Sequence, residues 1–152
     1  MAAPMTYSFL DVNAAIVGPG GGFNLGSGSG AAEEGISVEP TGEIDAMLIG
    51  ADGTPMHSLR ADKSGKVTVR LLKTSPMNAL LSTMLAFQRT GGATHGQNTI
   101  SIAQRVSGDA ITCQLCAFAR VPNLAYAKDG DVISWEFNAG IIDIALGAGV
   151  QA

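Results

Sequence analysis

Charged residues are scarce in this sequence. Asp, Glu, Lys and Arg make up 14% of its 152 residues, whereas hydrophobic residues make up 46%. An average soluble domain is about one quarter charged. No apolar run approaches the roughly 18 residues that a membrane-spanning helix needs, and the N-terminus lacks the basic region of a signal peptide. We expect residues 1–152 to form a single domain whose weakly charged surface is buried against other subunits, and therefore an oligomer.

The first 59 residues contain no lysine and no arginine. Residues 1–59 carry a formal charge of −7, residues 60–128 carry +7 and the rest carry −4. Either these segments intermix in the fold and cancel, or they form complementary faces that meet between copies of the chain. On the second interpretation, the residues that make contacts between rings or subunits are Glu33, Glu34, Glu39, Glu43, Asp45, Arg60, Lys63, Lys66, Arg70 and Lys73.

The sequence has only two cysteines, Cys113 and Cys116. They lie in a segment of alternating apolar and polar residues, which predicts a strand, and residues three apart on a strand point to opposite faces. Two thiols on opposite faces can neither share a metal ion nor form a relaxed disulfide. We therefore predict buried, reduced cysteines and synthesis in a reducing cytoplasm.

Motifs for catalysis or nucleotide binding are not apparent. His57 and His95 lie beside turn residues and have no nucleophile at a recognisable spacing. The segment Gly18–Gly30 has seven glycines in thirteen residues, but acidic residues follow it instead of a helix whose N-terminus could hold phosphate. We predict no enzymatic activity, no cofactor and no metal. We interpret residues 18–35 as a Gly-rich loop that becomes ordered on assembly, through Gly20, Gly21, Gly22, Phe23 and Gly28.

Alternation of apolar and polar residues predicts a mainly β fold. Strands are expected near residues 5–17, 36–50, 55–61, 66–73, 98–106, 110–121 and 131–147. In the last of these, the apolar positions are odd-numbered up to Phe137 and then become Ile142, Ile144 and Leu146. This change of phase predicts a bulge or bend at Gly140 that keeps one face buried.

One α-helix is expected at about residues 75–89. Ser75 is suited to the N-cap and Pro76 to the first helical position, where a missing N–H costs nothing. The helix has a broad apolar stripe, which predicts that it packs on the sheet. The stripe consists of Met77, Leu80, Leu81, Met84, Leu85 and Phe87.

Three segments together resemble the tail tube proteins of contractile-tailed bacteriophages. They are YSFLDVNAAIVGP, SGKVTVRLLKTSPMNALLSTML and VPNLAYAKDGDVISWEFNAGIIDIALG, and the similarity extends from Tyr7 to Gly147. The resemblance implies the phage tail tube fold, a rolled antiparallel β-sandwich or barrel with one flanking helix. It also implies hexameric rings that stack head to tail into an inner tube, which conducts DNA without binding it specifically during ejection.

The partners implied by this resemblance are further copies of the chain, the tail sheath protein, and the baseplate and tail terminator proteins. The implied location is the tail of the virion, after synthesis in the cytoplasm of the bacterial host. Two alternatives stay open. The chain could form the tube of a contractile bacteriocin or secretion system, or it could be a small β-barrel module that binds a ligand as a 15.5 kDa monomer.

Overall fold

The computed structural model describes residues 7–25 and 31–147, with the backbone alone for residues 31–34. This part of the chain consists mainly of β-strands, with one α-helix and one short 3₁₀ helix. The elements in chain order are the 3₁₀ helix Phe9–Asp11, β1 Val12–Gly18, β2 Gly21–Asn24, β3 Ala31–Pro40, β4 Asp45–Ile49, β5 Pro55–Leu59, β6 Gly65–Leu72, α1 Met77–Gln88, β7 Asn98–Gln104, β8 Asp109–Phe118, β9 Val132–Ala139 and β10 Ile141–Ala145.

Two sheets share strand β8. Sheet I has the order β2-β1-β7-β8-β10 and sheet II the order β8-β9-β6-β3, and their strand pairs are antiparallel. Because they share a strand, their inner faces enclose one hydrophobic core, which includes Ile16 and Ile100 of sheet I and Val69 and Phe137 of sheet II. This confirms the predicted rolled antiparallel β-sandwich with one flanking helix.

Strand β8 changes from one sheet to the other at a β-bulge. Gln114 and Leu115 are both exposed, Leu115 has a φ of 55°, and the register with β7 shifts at this point. The extra residue turns Cys113 and Cys116 to the same side, where both are fully buried. The prediction that the two thiols point to opposite faces is therefore wrong, because it assumed unbroken alternation.

Both thiols are expected to be unreactive in the folded protein. Desolvation by burial raises the pKa of Cys113 to about 11. It is also the largest of the causes that raise the pKa of Cys116 to about 12. The thiolate is the reactive form of cysteine, so we expect neither residue to react with iodoacetamide at pH 8 unless denaturant is present. Mass spectrometry after timed labelling measures this, and modification of the folded protein at the denatured rate would contradict it.

The chain bends at Gly140, as the change of apolar phase predicts. Strand β9 ends at Ala139, and β10 begins at Ile141. The N–H of Gly140 donates to the carbonyl oxygen of Gln114 at 3.1 Å and to that of Leu115 at 3.3 Å, so the bend lies against the bulge of β8. A Cβ atom at Gly140 would lie 3.1 Å from the Cβ of Leu115. The close approach of the two strands therefore favours glycine here.

Alternation predicted the buried face of the first and last strands only in part. Ile142 is buried beyond the bend, but Leu10, Ile144 and Leu146 are exposed. Leu10 belongs to the 3₁₀ helix rather than to β1, and Ile144 and Leu146 lie where β10 reaches the end of the sandwich. The prediction that Ile144 and Leu146 lie on the buried face is wrong.

The Gly-rich segment is more regular than predicted. Gly21–Asn24 forms β2 and pairs with β1, and β3 begins at Ala31, so the predicted loop at 18–35 is wrong for these residues. Residues 26–30, which include Gly28, lie outside the described part of the chain. The predicted strand at 36–50 is also divided, since β3 ends at Pro40 and β4 begins only at Asp45.

Helix α1 begins and packs largely as the sequence predicts. The hydroxyl oxygen of Ser75 accepts a hydrogen bond from the N–H of Met77 at 3.2 Å, which is the bond of an N-cap side chain. Leu81 is fully buried against the sheet, whereas Leu80 and Phe87 are 44% and 43% exposed. The buried stripe is thus narrower than the apolar stripe of the sequence.

Leu81→Ala is expected to lower the free energy of unfolding by about 2 to 5 kcal/mol, because it removes a fully buried side chain and leaves a cavity. Leu80→Ala, one position earlier on the half-exposed side, is expected to cost less than about 1 kcal/mol. Urea denaturation of the dispersed protein measures both. Equal losses for the two variants would show that the assigned buried face of α1 is wrong.

Polar side chains fix both ends of α1 to the sheets. The Oε1 atom of Gln88 accepts hydrogen bonds from the buried amide of Asn98 at 3.2 Å and from the N–H of Phe118 at 3.1 Å. At the other end, Nε1 of Trp135 donates to Oδ1 of Asn78 at 3.0 Å. A buried polar group that keeps its partners costs little, but one that loses them costs about 1 to 3 kcal/mol. These bonds therefore specify where the helix lies.

Candidate assembly surfaces

The outer side of sheet II is polar. Strand register places Lys66 of β6 between Glu39 of β3 and Asn138 of β9, and places Thr68 between Ser37 and Glu136. Arg70 and Ser134 form the next row. We call this surface the polar face, and it consists of Ser37, Glu39, Lys66, Thr68, Arg70, Ser134, Glu136 and Asn138.

The charges of the polar face are balanced within one chain. The face carries two carboxylates and two cationic side chains, and Nη1 of Arg70 donates to the hydroxyl oxygen of Ser37 at 2.8 Å. Lys66 lies directly opposite Glu39, an arrangement that stabilises a strand pair by up to about 1 kcal/mol. Because the cations alternate with acids, this face has no continuous stripe of positive charge for phosphate groups.

Sheet II has an open edge at each side. Among the residues that the structure describes, β3 pairs only with β6. At the other side of the sheet, one edge of β9 pairs with β6 over its whole length. Its other edge pairs with residues 117–119, at the end of β8, and only along residues 136–138. Residues 132–135 therefore have no strand partner on that side among the described residues, although the N–H of Val132 donates to Oδ1 of Asp131 at 2.7 Å. Unpaired N–H and C=O groups at an edge can bind another strand.

A groove lies beside the open part of β9. It has a volume of about 300 Å³, and its lining includes Asp131, Ser134 and residues of the segment 120–125. Lys73 holds this segment, since its Nζ donates to the carbonyl oxygen of Ala125 and lies 4.2 Å from the ring centre of Tyr126. The groove gives an incoming strand space beside the edge.

Strands β4 and β5 form a hairpin outside the sandwich. They pair with each other in a separate sheet, and nine of their ten residues are exposed, Leu59 to 89%. A lone two-stranded hairpin is only marginally stable in water, and a cluster of exposed apolar side chains marks a surface for interaction. Alternation in the sequence does not predict this surface, although the uninterrupted apolar run Met47-Leu48-Ile49 is a signal for it.

Some of the charged residues predicted to join copies of the chain have partners within their own chain. Nζ of Lys63 donates to Oδ1 of Asp143 at 3.2 Å, and Nδ1 of His57 lies 2.9 Å from Oδ2 of Asp45. All four side chains are about half exposed or more, and such pairs contribute about 0 to 1 kcal/mol. They leave these residues free to exchange partners on assembly, so contacts between copies stay a prediction.

The structure separates the other predicted contact residues into two groups. Glu39, Lys66 and Arg70 belong to the polar face, whereas Glu43 and Arg60 flank the hairpin. The backbone of β3 includes residues 33 and 34, and the side chains of these two glutamates lie outside the described part. The ten residues thus do not form one continuous surface of the chain.

Within residues 7–25 and 31–147, no group of three or more His, Cys, Asp and Glu side chains could hold a metal ion. In the same ranges, no helix has the length and apolar character needed to cross a membrane. Open strand edges, a polar sheet face and an apolar hairpin are features of a structural protein that assembles with other subunits.

Sequence comparison shows the family to which the chain belongs. The family model described as "Bacteriophage PhiTE tail tube protein" matches residues 5–147, which is nearly the whole chain. The protein therefore belongs to this family of tail tube proteins, and it is a structural component of a phage-type tail. The resemblance seen in the sequence is confirmed. A comparison with curated proteins found no significant match.

Solved structures of contractile injection systems have the same fold. A chain of the PVC sheath-tube complex in its extended state matches with a TM-score of 0.59 and 10% identity, over 93% of this chain and 92% of that chain. The tube-terminating cap of the anti-feeding prophage matches with 0.58 and 12%, over 97% and 95%. Its six-fold symmetrised baseplate matches with 0.53 and 11%, over 97% and 99%. These likenesses confirm the tail tube fold.

Proposed function

We propose that six copies of this chain close into a ring and that the rings stack head to tail into the inner tube of a contractile tail. DNA passes along the channel of this tube during ejection. In each ring, sheet II forms the wall of the channel and its polar face points inward. The observation that carries this proposal is that sheet II combines a polar face with an open edge at each side. Six-fold symmetry is favoured by the six-fold symmetrised baseplate among the similar structures.

Ring closure joins β3 of one copy to the open part of β9 in the next. The two edges lie at opposite sides of the same sheet, so each copy offers one edge to each neighbour, and repeated contacts of this kind close into a ring. The groove beside residues 132–135 receives the incoming strand. A closed barrel removes the exposed edges that otherwise allow uncontrolled pairing.

The polar face suits a channel through which DNA moves. Each phosphate that a lysine or arginine neutralises adds affinity through counterion release, and strong affinity would hold the duplex in place. Lys66 and Arg70 alternate with Glu39 and Glu136, so the face attracts phosphate groups weakly. We therefore place Lys66 and Arg70 in the channel wall rather than in contacts between rings.

The remaining partners lie at the ends and on the outside of the tube. We propose that the tail sheath protein surrounds it, and that the baseplate and tail terminator proteins close its two ends. The Gly-rich segment contacts a neighbouring ring, and Gly20–Phe23 lie at its ordered start, where β2 turns back along β1. The protein has no enzymatic role in this assembly.

Tube formation is expected for the purified protein. Negative-stain electron microscopy at rising protein concentration should show hollow rings and then tubes, because open edges pair when copies meet often enough. A 15.5 kDa monomer at every concentration and salt would contradict the proposal and would favour a ligand-binding module instead.

The direction of the polar face can be tested in the same tubes. An Asn138→Cys variant is expected to react with a small maleimide but not with a maleimide on a large polymer, because only the small reagent enters the channel. In dissociated protein, both reagents should react. Equal reaction with the large reagent in tubes and in dissociated protein would show that the polar face lies outside.

A second candidate function is the tube of a contractile bacteriocin or secretion system. The observation that favours it is the similarity to two injection systems, the PVC complex and the anti-feeding prophage. Capsid and terminase genes next to the gene for this chain would indicate a virion, and their absence beside sheath and baseplate genes would indicate an injection system.

A further inference from the structure

The edges of sheet II are too short to hold a ring together by themselves. The open part of β9 consists of residues 132–135. A strand rises about 3.3 Å per residue, so this part offers roughly 13 Å for pairing. A stable interface between proteins involves about 20 to 30 residues on each side. The contact between neighbouring copies must therefore extend to surfaces that lie beside the two edges.

A pocket lies beside the edge strand β3. It has a volume of about 260 Å³, and its lining includes Phe9, Ile36 and Ile102. Tyr7 also lines it and is 71% exposed. A Cβ atom at Gly35, which has a φ of 60°, would lie 3.3 Å from Cε2 of Phe9, so β3 approaches this ring closely and forms one wall. We call this feature the β3 pocket. It is a mainly apolar recess next to one edge of sheet II.

A cluster of exposed apolar side chains lies beside the other edge. Val121, Leu124 and Tyr126 are 54%, 55% and 85% exposed, and they belong to the segment that borders the groove at the open part of β9. Lys73 holds this segment in place through the carbonyl oxygen of Ala125 and the ring of Tyr126. Exposed apolar residues that cluster in this way mark a surface for interaction. We call residues 121–126 the apolar segment.

The β3 pocket and the apolar segment lie at the same level of sheet II. Ile36 of β3 and Trp135 of β9 are both paired with Val69 of β6. Ile36 lines the pocket, and Ser134 and Glu136, on either side of Trp135, line the groove that the segment borders. Pairing of β3 with β9 of the next copy therefore brings the pocket of one copy beside the segment of the other. Unlike surfaces that meet head to tail in this way can close into a ring.

We infer that the apolar segment of one copy docks into the β3 pocket of the next, with Leu124 and Tyr126 as its anchors. This inference rests on the proposed function, because it takes the edges of sheet II as the junction between copies within a ring. The charges beside the two surfaces are of opposite sign, since Asp109 lines the pocket and Arg120 precedes the segment. Large side chains that fill pockets contribute much of the energy of an interface.

Alanine substitutions test the energy of this contact. Leu124→Ala and Tyr126→Ala are each expected to raise the protein concentration at which tubes first form by at least about tenfold, because each removes an anchor. Their urea midpoints in dispersed protein should change little, since both side chains are exposed there. Val17→Ala is the matched control, because Val17 is 60% exposed on the outer side of sheet I, and it should form tubes as the unsubstituted protein does.

A double variant, Tyr7→Cys with Leu124→Cys, tests which surfaces meet. In tubes, a short bis-maleimide should join the two thiols between chains and give a ladder of covalent oligomers on a denaturing gel. Each single variant should give no oligomer larger than a dimer, because one thiol per chain allows only one cross-link. The native cysteines are buried. Val17→Cys with Leu124→Cys is the control pair and should give no ladder.

The possible results separate this inference from the proposed function. If the unsubstituted protein forms no tubes, the proposed function itself fails. If tubes form, then normal assembly of both alanine variants, or the absence of a ladder from the double variant, overturns the inference while the tube function stands. A cross-link within single chains of dissociated protein would also overturn it. Should the double variant not assemble, amide exchange of residues 121–126 in the unsubstituted protein decides, and equal exchange in tubes and in dissociated protein would contradict docking.

Discussion

Replacement of residues 45–59 by an Asn-Gly turn is expected to abolish tube formation and to leave the rest of the fold intact. The N–H of Arg60 donates to the carbonyl oxygen of Ile44 at 2.9 Å, which is the bond that closes a two-residue hairpin turn, and Asn-Gly is well suited to such a turn. The removed strands pair with each other rather than with the sandwich, so the free energy of unfolding should change by no more than about 1 kcal/mol. Electron microscopy and urea denaturation measure the two effects.

Leu81→Ala is the matched control for this experiment. It keeps the hairpin but lowers stability, so it should form tubes under conditions in which it is folded. The turn variant should show the reverse, with normal stability and no tubes. Normal tubes from the turn variant would show that the hairpin is not needed, and loss of its fold would show that the hairpin supports the core.

Phe137→Ala is expected to lower the free energy of unfolding by about 3 to 5 kcal/mol, because it removes a large, fully buried ring. Phe137 is at the centre of the core, and its ring centre lies 4.6 Å from that of Phe118, which in turn lies 5.9 Å from that of Trp135. A domain of this kind is stable by only about 5 to 15 kcal/mol, so the loss is a large part of the total.

Urea denaturation of the dispersed protein measures the effect of Phe137→Ala. Ile144→Ala serves as the control, since Ile144 is nearly half exposed, and it should cost less than about 1 kcal/mol. A small loss for Phe137→Ala would mean that the core between the two sheets is assigned incorrectly.

The sequence predicts those parts of the fold that depend on alternation. Val67, Val69 and Leu71 alternate with polar residues in β6, and all three are buried as the pattern requires. The bend at Gly140 is predicted for the same reason, because regular alternation on both sides makes the change of phase visible. Capping by Ser75 follows from local chemistry and needs no tertiary contact.

Other parts depend on contacts between distant strands. The bulge of β8 places Leu115 at a positive φ, which only a few per cent of residues other than glycine adopt, so its side chain gives no indication of it. Strand β2 is held to β1 by backbone hydrogen bonds, and its glycines have low strand propensity. Both were missed because the partner strand, and not the local sequence, determines the conformation.

The sequence indicates the candidate assembly surfaces less clearly than it indicates the strands and the helix. The polar face unites β3, β6 and β9, and its balance of charge appears only when Lys66 is placed opposite Glu39. A sequence that is read along one strand at a time shows an acidic segment followed by a basic one. The sequence likewise predicts strands for the hairpin, but the exposure of both its faces follows from the position of β4 and β5 outside the sandwich.

The strand order of sheet I has a consequence for synthesis of the chain. Strand β1 pairs with β7, and Val12 lies opposite Gln104, about 90 residues later. A ribosome adds about 5 to 20 residues per second, so β1 waits roughly 5 to 20 s for β7, whereas β2 is available to pair with it much earlier. Pairing across such long separations is also intrinsically slow. Until β7 is made, the edge of β1 that β2 does not cover is open to pairing with the wrong strand.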